Sequence, residues 1–445
     1  MRYHSSYILK SGRCLFIVIL AILFVMTWAG ASGFSLVTGS VASAQGSGSG
    51  TDDPSPTPTP SPTASPTASP TPSPSPTVSP TPDDQHCRIS FSSPTYTVNE
   101  DAGLATITVV RACDRIRESK IDFFTRDGSA SNRSDFTFSA GRLFFGNGVT
   151  TESFNVLITN DVLVEGNETV NLFLSDPGGS ASLADPSTAV LTIVDNDTTP
   201  PTSNPIEQPD FFVNQHYADF LNRQADDNGR DYWSGRIREC GANEDCIRDR
   251  RIDVSAAFFI EAEFQQTGSY VYRLYEASLG RHPSYDEFMP DRGRLVATAD
   301  LEANKALFSD DWVQRPEFKQ HYPDTMTPFE FVNGLMDTAG LMPFVPERQR
   351  LVAEMESGAT RSQIIREIIE IPEFKQREYN AAFVLMQYFG YLRRDPDQGG
   401  YDFWLNTLNN RVPGNFRSMV CAFLTSAEMQ DRFSNLHVRS NAECR

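Results

Sequence analysis

The sequence predicts a multidomain protein, with an immunoglobulin-like antiparallel β-sandwich followed by an all-α repeat domain, and with a disordered linker before both. Three observations predict this architecture. Apolar residues alternate with period two across 87–198, they recur at spacings of three and four across 210–445, and residues 45–86 are rich in Pro, Ser and Thr. A chain of 445 residues is long enough for two or three domains.

Residues 1–44 have the pattern of a targeting segment. A basic start is followed by an apolar run over 14–29 and by small residues at 42–44, which suit a cleavage site. A cleaved signal peptide is the favoured interpretation, and an uncleaved membrane anchor is the alternative. Both interpretations predict that residues 45–445 are secreted or lie at the cell surface.

The linker, residues 45–86, begins with alternating Gly and Ser and continues with Ser-Pro and Thr-Pro repeats. Proline fixes φ and removes a backbone donor, so this stretch cannot build a core and favours an extended polyproline form. We expect a semi-rigid stalk that holds the folded part away from a membrane or wall.

The cysteines agree with export. Of seven cysteines, Cys14 would leave with a cleaved signal peptide. Proximity and domain membership favour pairing the other six as Cys87–Cys113, Cys240–Cys246 and Cys421–Cys444, although buried free thiols are an alternative. A thiolate metal site is disfavoured, because the sequence has no Cys-x-x-Cys pair.

Residues 87–198 read as about seven short strands separated by turn residues, as in an antiparallel sandwich. Seven acidic residues lie in or beside the turns between these runs, and all could meet at one end of the sheets. They are Glu100, Asp135, Asp161, Glu165, Glu168, Asp195 and Asp197. Calcium takes about 6–8 oxygen ligands from flexible loops, so the pattern predicts a calcium site. The alternative is that these carboxylates serve only solubility and turn geometry.

Several motifs of this region resemble the Calx-beta domain, which is named for the regulatory calcium-binding domains of sodium–calcium exchangers. They are Tyr96-Thr97-Val98-Asn99-Glu100-Asp101-Ala102-Gly103, Ser134-Asp135-Phe136, the acidic cluster from Asp161 to Glu168, and Ile193-Val194-Asp195-Asn196-Asp197. The resemblance implies that the same seven acidic residues are calcium ligands. Asn160 and Asn196 stand where the best calcium binders of the family have Asp. Because affinity follows ligand charge, we expect weak binding, with a dissociation constant of about 10⁻⁴–10⁻³ M.

Residues 199–209 are expected to form a hinge, and residues 210–445 to form ten or more short helices. Phe212-Val213-x-x-x-Tyr217-x-x-Phe220-Leu221-x-Arg223 recurs as Phe383-Val384-x-x-x-Tyr388-x-x-Tyr391-Leu392-x-Arg394, with weaker copies near Val271 and Phe331. The repeats resemble DUF4214, a helical repeat domain of exported bacterial proteins without an established activity. The resemblance covers about 210–435.

Individual residues of the repeats carry further expectations. Trp233 and Trp404 occupy equivalent positions, so we expect them to seal helix pairs, whereas Trp312 lies outside the repeat and is expected to be the more exposed contact. We expect Arg223, Arg281 and Arg394 to cap helix ends or to pair with the turn aspartates.

Composition and motifs disfavour several classes of function. The net charge of −19, without a long run of basic residues, argues against nucleic-acid binding. Zinc-helix, nucleophile-elbow, phosphate-loop and dinucleotide motifs are all missing from the sequence.

The predicted function is therefore non-catalytic. A calcium-binding module would support a helical repeat domain that contacts a surface glycan or protein in adhesion, matrix or cell–cell interaction. One alternative is that the helical domain is an uncharacterised enzyme acting on polysaccharide, with the sandwich as an accessory. Another is a structural envelope component that assembles through the repeats.

Overall fold

The computed structural model describes residues 87–113, 118–179, 181–260, 262–296, 300–342 and 344–444. The predicted targeting segment, 1–44, and the predicted linker, 45–86, lie outside the described residues.

The first part of the described chain is a sandwich of two sheets, which confirms the predicted fold class. One sheet has the strand order β6-β3-β1-β8 and the other has the order β2-β9-β7-β4-β5. The strands are β1 (Cys87–Phe91), β2 (Thr95–Asn99), β3 (Leu104–Ala112), β4 (Ser119–Asp127), β5 (Ala140–Phe145), β6 (Thr151–Leu157), β7 (Glu168–Gly179), β8 (Ala181–Leu183) and β9 (Thr188–Val194). Five of the strand pairings in these sheets are antiparallel, but β1 with β8 and β2 with β9 are parallel.

Alternate residues of the strands fill the space between the sheets, as the period-two pattern requires. Ile107 of β3 is paired with Phe154 of β6, and both are buried. The ring of Phe154 stacks on that of Phe123 from the other sheet, with 3.8 Å between their centroids. The sandwich is therefore held by one apolar core between the two sheets.

The rest of the described chain is helical, as predicted. The helices are α1 (Pro209–His216), α2 (Asp227–Arg238), α3 (Glu244–Ile260), α4 (Ala262–Gln266), α5 (Gly268–Leu279), α6 (Tyr285–Leu295), α7 (Leu301–Trp312), α8 (Pro316–His321), α9 (Pro328–Thr338), α10 (Val345–Glu356), α11 (Arg361–Ile368), α12 (Pro372–Gln387), α13 (Gln398–Asn406), α14 (Phe416–Leu424) and α15 (Ala427–Gln430). Short π-helical segments, Tyr217–Leu221 and Tyr388–Leu392, follow α1 and α12 at equivalent places in the repeat.

The turn motif of the repeat starts a helix. The side chains of Asp226 and Asp397 accept hydrogen bonds from the backbone N–H groups of Gly229 and Gly400, at 2.9 and 2.8 Å. An Asp at the N-cap satisfies one of the unpaired donors of the first helical turn. The Arg-x-x-Asp-x-x-Gly spacing is thus explained by helix capping.

The arginines of the motif pair mainly with glutamates of later helices, and not with the turn aspartates. Each forms an ion pair with a glutamate in the first turn of a later helix: Arg223 with Glu263, Arg281 with Glu317, and Arg394 with Glu428. In addition, Arg223 Nη1 lies 3.6 Å from Asp226 Oδ2. The expected pairing with turn aspartates is therefore secondary, because the guanidinium reaches across to the neighbouring helix start.

The expectation that Trp312 is more exposed than Trp233 and Trp404 is wrong. Its side chain is fully buried, its indole N–H donates to Ser278 Oγ at 3.1 Å, and its ring meets that of Tyr275 edge-on at 4.7 Å. Trp312 ends α7 on the face that packs against α5, so its position outside the repeat does not imply exposure. Trp233 and Trp404 are half-buried against the helical core.

All three predicted disulfides are present: Cys87–Cys113, Cys240–Cys246 and Cys421–Cys444. The first ties the start of β1 to the residue after β3. Among the described helices, none is long and apolar enough to cross a membrane.

The sandwich and the helices pack directly on each other within one compact unit. Helix α6 lies on β5, an edge strand, and a Cβ on Gly293 would lie 2.2 Å from the Ala140 carbonyl oxygen. Arg142 of β5 pairs with Asp311 of α7. In the predicted hinge, the Asn204 amide donates to the carbonyl groups of Gln430 and Leu436, both at 3.1 Å. The hinge itself stays a prediction.

Candidate metal centre

The strand order brings the predicted acidic residues to one end of the sandwich. Because β2 and β9 are parallel and Asn99 lies opposite Val194, the residues that follow both strands are neighbours. Glu100 follows β2, and Asp195 and Asp197 follow β9. Glu168 begins β7 opposite Ile193 of β9, so the loop before β7 ends at the same place.

Six of the seven predicted residues form two groups. Glu100, Asp161 and Asp197 each offer a carboxylate oxygen, and the three oxygens lie within 4.8 Å of one another; we call these residues the Glu100 group. Asp135, Glu165 and Glu168 do the same, and we call them the Asp135 group. Each group offers a set of oxygens at one point, which is the arrangement that a hard cation needs.

Asp195, the seventh predicted residue, lies outside both groups. Its Oδ2 accepts hydrogen bonds from the backbone N–H groups of Glu165 and Gly166 at 2.9 and 2.6 Å, and its Oδ1 accepts from that of Asp197 at 2.7 Å. A φ of 78° at Gly166, which suits glycine, forms this tight turn. Although burial opposes it, the three donors hold the pKa of Asp195 below its usual range. Asp195 therefore orders the loops that carry residues of both groups.

The carboxylates of both groups are electrostatically costly without a cation. Burial, and then neighbouring carboxylates, raise the pKa of Glu100 to about 7 and that of Asp161 to about 8, against backbone hydrogen bonds that lower both. Burial and the adjacent Asp135 raise the pKa of Glu168 to about 8. A cation at either group would offset this repulsion and displace these protons.

The hydrogen bonding of two carboxylate oxygens bears on whether these residues fit calcium. Asp135 Oδ1 and Asp197 Oδ2 are buried, and neither has a hydrogen-bond partner among the described residues. A buried carboxylate oxygen without a partner costs free energy, and a bound cation would satisfy it. The donor set is all oxygen and acidic, so it fits calcium.

The two asparagines that depart from the resemblance lie side by side. The Asn196 amide donates to Asn160 Oδ1 at 3.1 Å. Two aspartates at these positions would repel each other and the adjacent carboxylates in the absence of metal. The Asn pair therefore lowers the charge at this end of the sandwich.

Sequence reasoning missed Ser131. Its backbone N–H donates to Asp135 Oδ2 at 2.6 Å, which orients the Asp135 side chain. The bond closes a short turn from Ser131 to Asp135, and Ser and Asp are typical turn residues, so their spacing was an available signal.

Comparison with known proteins finds two family matches. The Calx-beta domain model matches residues 83–197, and the model of a domain of unknown function, DUF4214, matches residues 372–433. The chain carries these two segments in that order, as the sequence predicted. The DUF4214 match covers only the last part of the predicted range.

Two similar proteins each match 26% of this chain. Sodium/calcium exchanger Calx of Drosophila melanogaster is 32% identical over 114 residues, which are 26% of this chain and 12% of that protein. Sodium/calcium exchanger 1 of Canis lupus familiaris is 31% identical over 132 residues, which are 26% of this chain and 14% of that protein. The chain thus spans a small part of these relatives.

Solved structures match a similar share of the chain. The crystal structure of the apo-form Calx CBD1 domain has 32% identity and a TM-score of 0.25, and the match covers 25% of this chain and 99% of that one. The calcium binding domain CBD12 of CALX1.1 has 32% identity and a TM-score of 0.24, and that match covers 24% and 46% of the two chains.

The raised pKa of Glu168 predicts a pH-dependent stability. Unfolded glutamate titrates near 4.5 and folded Glu168 at about 8. Between these values the folded protein holds a proton that the unfolded protein lacks, so rising pH destabilises the fold. In chelator, we expect Glu168→Gln to gain stability relative to wild type as pH rises through this window.

The melting-temperature difference between Glu168→Gln and wild type, measured from about pH 5 to about pH 9, checks this prediction. His216, whose pKa burial lowers to about 4, has the opposite pH dependence, but it is present in both proteins and cancels. A difference that stays constant with pH would contradict the prediction.

Proposed function

We propose that residues 87–198 form a calcium-binding module that supports the helical region, 210–445, in adhesion, matrix or cell–cell contact outside the cytoplasm. The observation that carries the calcium part is the meeting of two carboxylate groups, with buried unpartnered oxygens, at one end of the sandwich. The similarity to sodium/calcium exchangers and to a calcium binding domain supports it.

Each carboxylate group would hold one cation. Glu100, Asp161 and Asp197 are the proposed ligands of the first, and Asp135, Glu165 and Glu168 those of the second. Asp195 joins the ligands, or orients them through its three backbone hydrogen bonds. Calorimetric titration of the purified protein with calcium tests this assignment: we expect about two ions per chain and a dissociation constant of about 10⁻⁴–10⁻³ M.

The location outside the cytoplasm is supported by the three disulfides, because such bonds persist in oxidising compartments. Partition of the full chain between cytoplasm and exterior, followed with an antibody in its native host, tests the location. Retention of reduced protein in the cytoplasm would contradict it.

The proposed role of the helical region is contact rather than catalysis. Its repeats are explained by helix caps, Arg–Glu pairs and core aromatics, which are structural roles. A panel of surface glycans and proteins, screened in calcium and in chelator, should give calcium-dependent binding without turnover. Turnover of a polysaccharide would contradict this role and favour an enzyme.

The asparagine pair offers a gain-of-function prediction. We expect the double variant Asn160→Asp/Asn196→Asp to bind calcium more tightly than wild type and to melt at a lower temperature in chelator, because two more carboxylates face an already repulsive group. Calorimetry and thermal melts measure the two effects.

A control variant, Asn409→Asp/Asn410→Asp, adds the same charge on exposed helical residues. It should leave calcium affinity unchanged. An affinity of the first variant equal to that of wild type would contradict the assignment of this end of the sandwich as the binding site.

A further inference from the structure

The loop that carries Asp135 connects β4 to β5 and is held from two sides. We call residues 131–137 the Asp135 loop. Within the sandwich, the Asp135 N–H donates to the Ser131 carbonyl at 2.9 Å, and the Asp135 carbonyl accepts from Thr159 N–H at 2.9 Å. The sandwich also holds the loop through Thr137 N–H, which donates to the Leu157 carbonyl at 2.8 Å, and through Asn132 N–H, which donates to Asp127 Oδ1 at 2.9 Å.

Two arginines of the helical region bind the same loop. The Arg393 guanidinium donates to the carbonyl groups of Asn132 and Phe136, both at 2.7 Å, and to Thr137 Oγ1 at 2.8 Å. Arg432 donates to the Arg133 carbonyl at 2.9 Å. Three of the loop's carbonyl groups are thus satisfied by side chains from another domain.

These arginines are buried and held in place by Asp219. The Asp219 carboxylate accepts from Arg432 at 2.9 and 3.0 Å and from Arg393 at 3.0 Å, and its side chain is completely buried. Although burial opposes it, Arg432 and then Arg393 lower the pKa of Asp219, so the carboxylate is ionised. We call Asp219, Arg393 and Arg432 the arginine clamp.

As Asn222 does after Tyr217–Leu221, Arg393 ends the π-helical segment Tyr388–Leu392 in a left-handed conformation. Its φ is 48°, in the left-handed region that few non-glycine residues adopt. Arg394, the next residue, is half-exposed and pairs with Glu428 instead. One arginine of this adjacent pair therefore reaches the Asp135 loop while the other serves the repeat.

From this geometry we propose that Arg393 and Arg432 are positioning residues for the calcium site. The arginine clamp holds the Asp135 loop in the conformation that presents Asp135 to Glu165 and Glu168. The proposal rests on the proposed calcium site. Because coupling between two sites is reciprocal, calcium binding must also stabilise the contact between the loop and the helices.

The test measures calcium dissociation constants by calorimetry for wild type, Arg393→Lys and Arg273→Lys. Lysine keeps the charge but loses the planar fork that binds several acceptors. Arg273 is a matched control, because it is buried and pairs with Glu370 at 2.6 Å within the helical region. We expect Arg393→Lys to raise the dissociation constant about fivefold or more, and Arg273→Lys to leave it within about twofold of wild type.

A second readout is amide hydrogen exchange. If Arg393 had only a structural role, exchange near it would not depend on calcium. Calcium should slow exchange around Tyr388–Leu392 in wild type, and this effect should be lost in Arg393→Lys. If Arg393→Lys does not fold, Thr137→Val removes one acceptor of the clamp and should shift the dissociation constant in the same direction.

The outcomes separate the two proposals. Wild type that fails to bind calcium overturns the proposed site and, with it, the clamp. If wild type binds calcium and Arg393→Lys or Thr137→Val binds it equally well, the proposed role of the clamp is overturned while the proposed calcium site stands. Equal weakening by Arg393→Lys and Arg273→Lys also overturns the role of the clamp, because the effect would then reflect general loss of stability.

Discussion

Substituting Trp312 by Ala lowers the free energy of unfolding of the helical region by about 3–5 kcal/mol, the usual cost of truncating a large core aromatic. The indole is fully buried and contacts Tyr275, Phe308 and the Arg315 guanidinium, which lies 4.2 Å from the ring centroid. Its removal also leaves Ser278 Oγ without the indole N–H donor.

Denaturant unfolding in chelator, followed by far-ultraviolet circular dichroism, measures this effect without relying on tryptophan fluorescence. Two control variants show how the loss of stability depends on the burial of the aromatic side chain. Trp404→Ala, at a half-buried position, should cost less, and Tyr232→Ala should cost little because that side chain is 60% exposed. Unchanged stability of Trp312→Ala would contradict its placement in the core.

Substituting Asp219 by Ala costs a similar amount, about 3–5 kcal/mol, because it leaves buried charges without their partner. Arg393 and Arg432 both pair with this carboxylate. Asp219→Ala should lower the free energy of unfolding more than the loss of either arginine's contact with the Asp135 loop does, because one carboxylate pairs with both guanidinium groups.

The matched control is Asp249→Ala, which removes an exposed carboxylate that pairs with Arg248, and it should cost about 0–1 kcal/mol, since Arg248 also pairs with Asp245. Both variants are compared with wild type by denaturant unfolding at neutral pH. Equal costs for the two variants would contradict the assignment of Asp219 as the centre of a buried ionic cluster.

The sandwich and its acidic end were predictable because the signals are local. Alternation fixes which face of a strand is buried, and turn residues mark where strands end. Neither signal identifies the neighbouring strand. The parallel pairing of β2 with β9, which brings Glu100 beside Asp195 and Asp197, was therefore not predicted.

The helical region was predictable in type but not in detail. The repeat correctly indicated helices, yet the exposure of Trp312 depends on how the diverged middle copies pack, which spacing alone does not reveal. Arg393 and Arg394 look alike in sequence, but the left-handed backbone at Arg393 accompanies its burial. Asp219, within Tyr-Ala-Asp-Phe-Leu, is an acidic residue in an apolar run and gave the only local hint of the arginine clamp.

We propose that calcium binds the acidic end of the sandwich and stabilises the fold. The most direct test is calorimetric melting of the purified protein in chelator and in increasing calcium, with magnesium at equal ionic strength as the control. At free calcium ten times the dissociation constant, one site contributes about 1.4 kcal/mol.

We expect a calcium-specific rise in melting temperature that grows with concentration and that is reduced, by the contribution of one site, in each of Glu165→Ala and Asp197→Ala. No rise with calcium, or a rise that is equal with magnesium and undiminished in both variants, would contradict calcium binding at this end of the sandwich and leave these carboxylates as turn and surface residues.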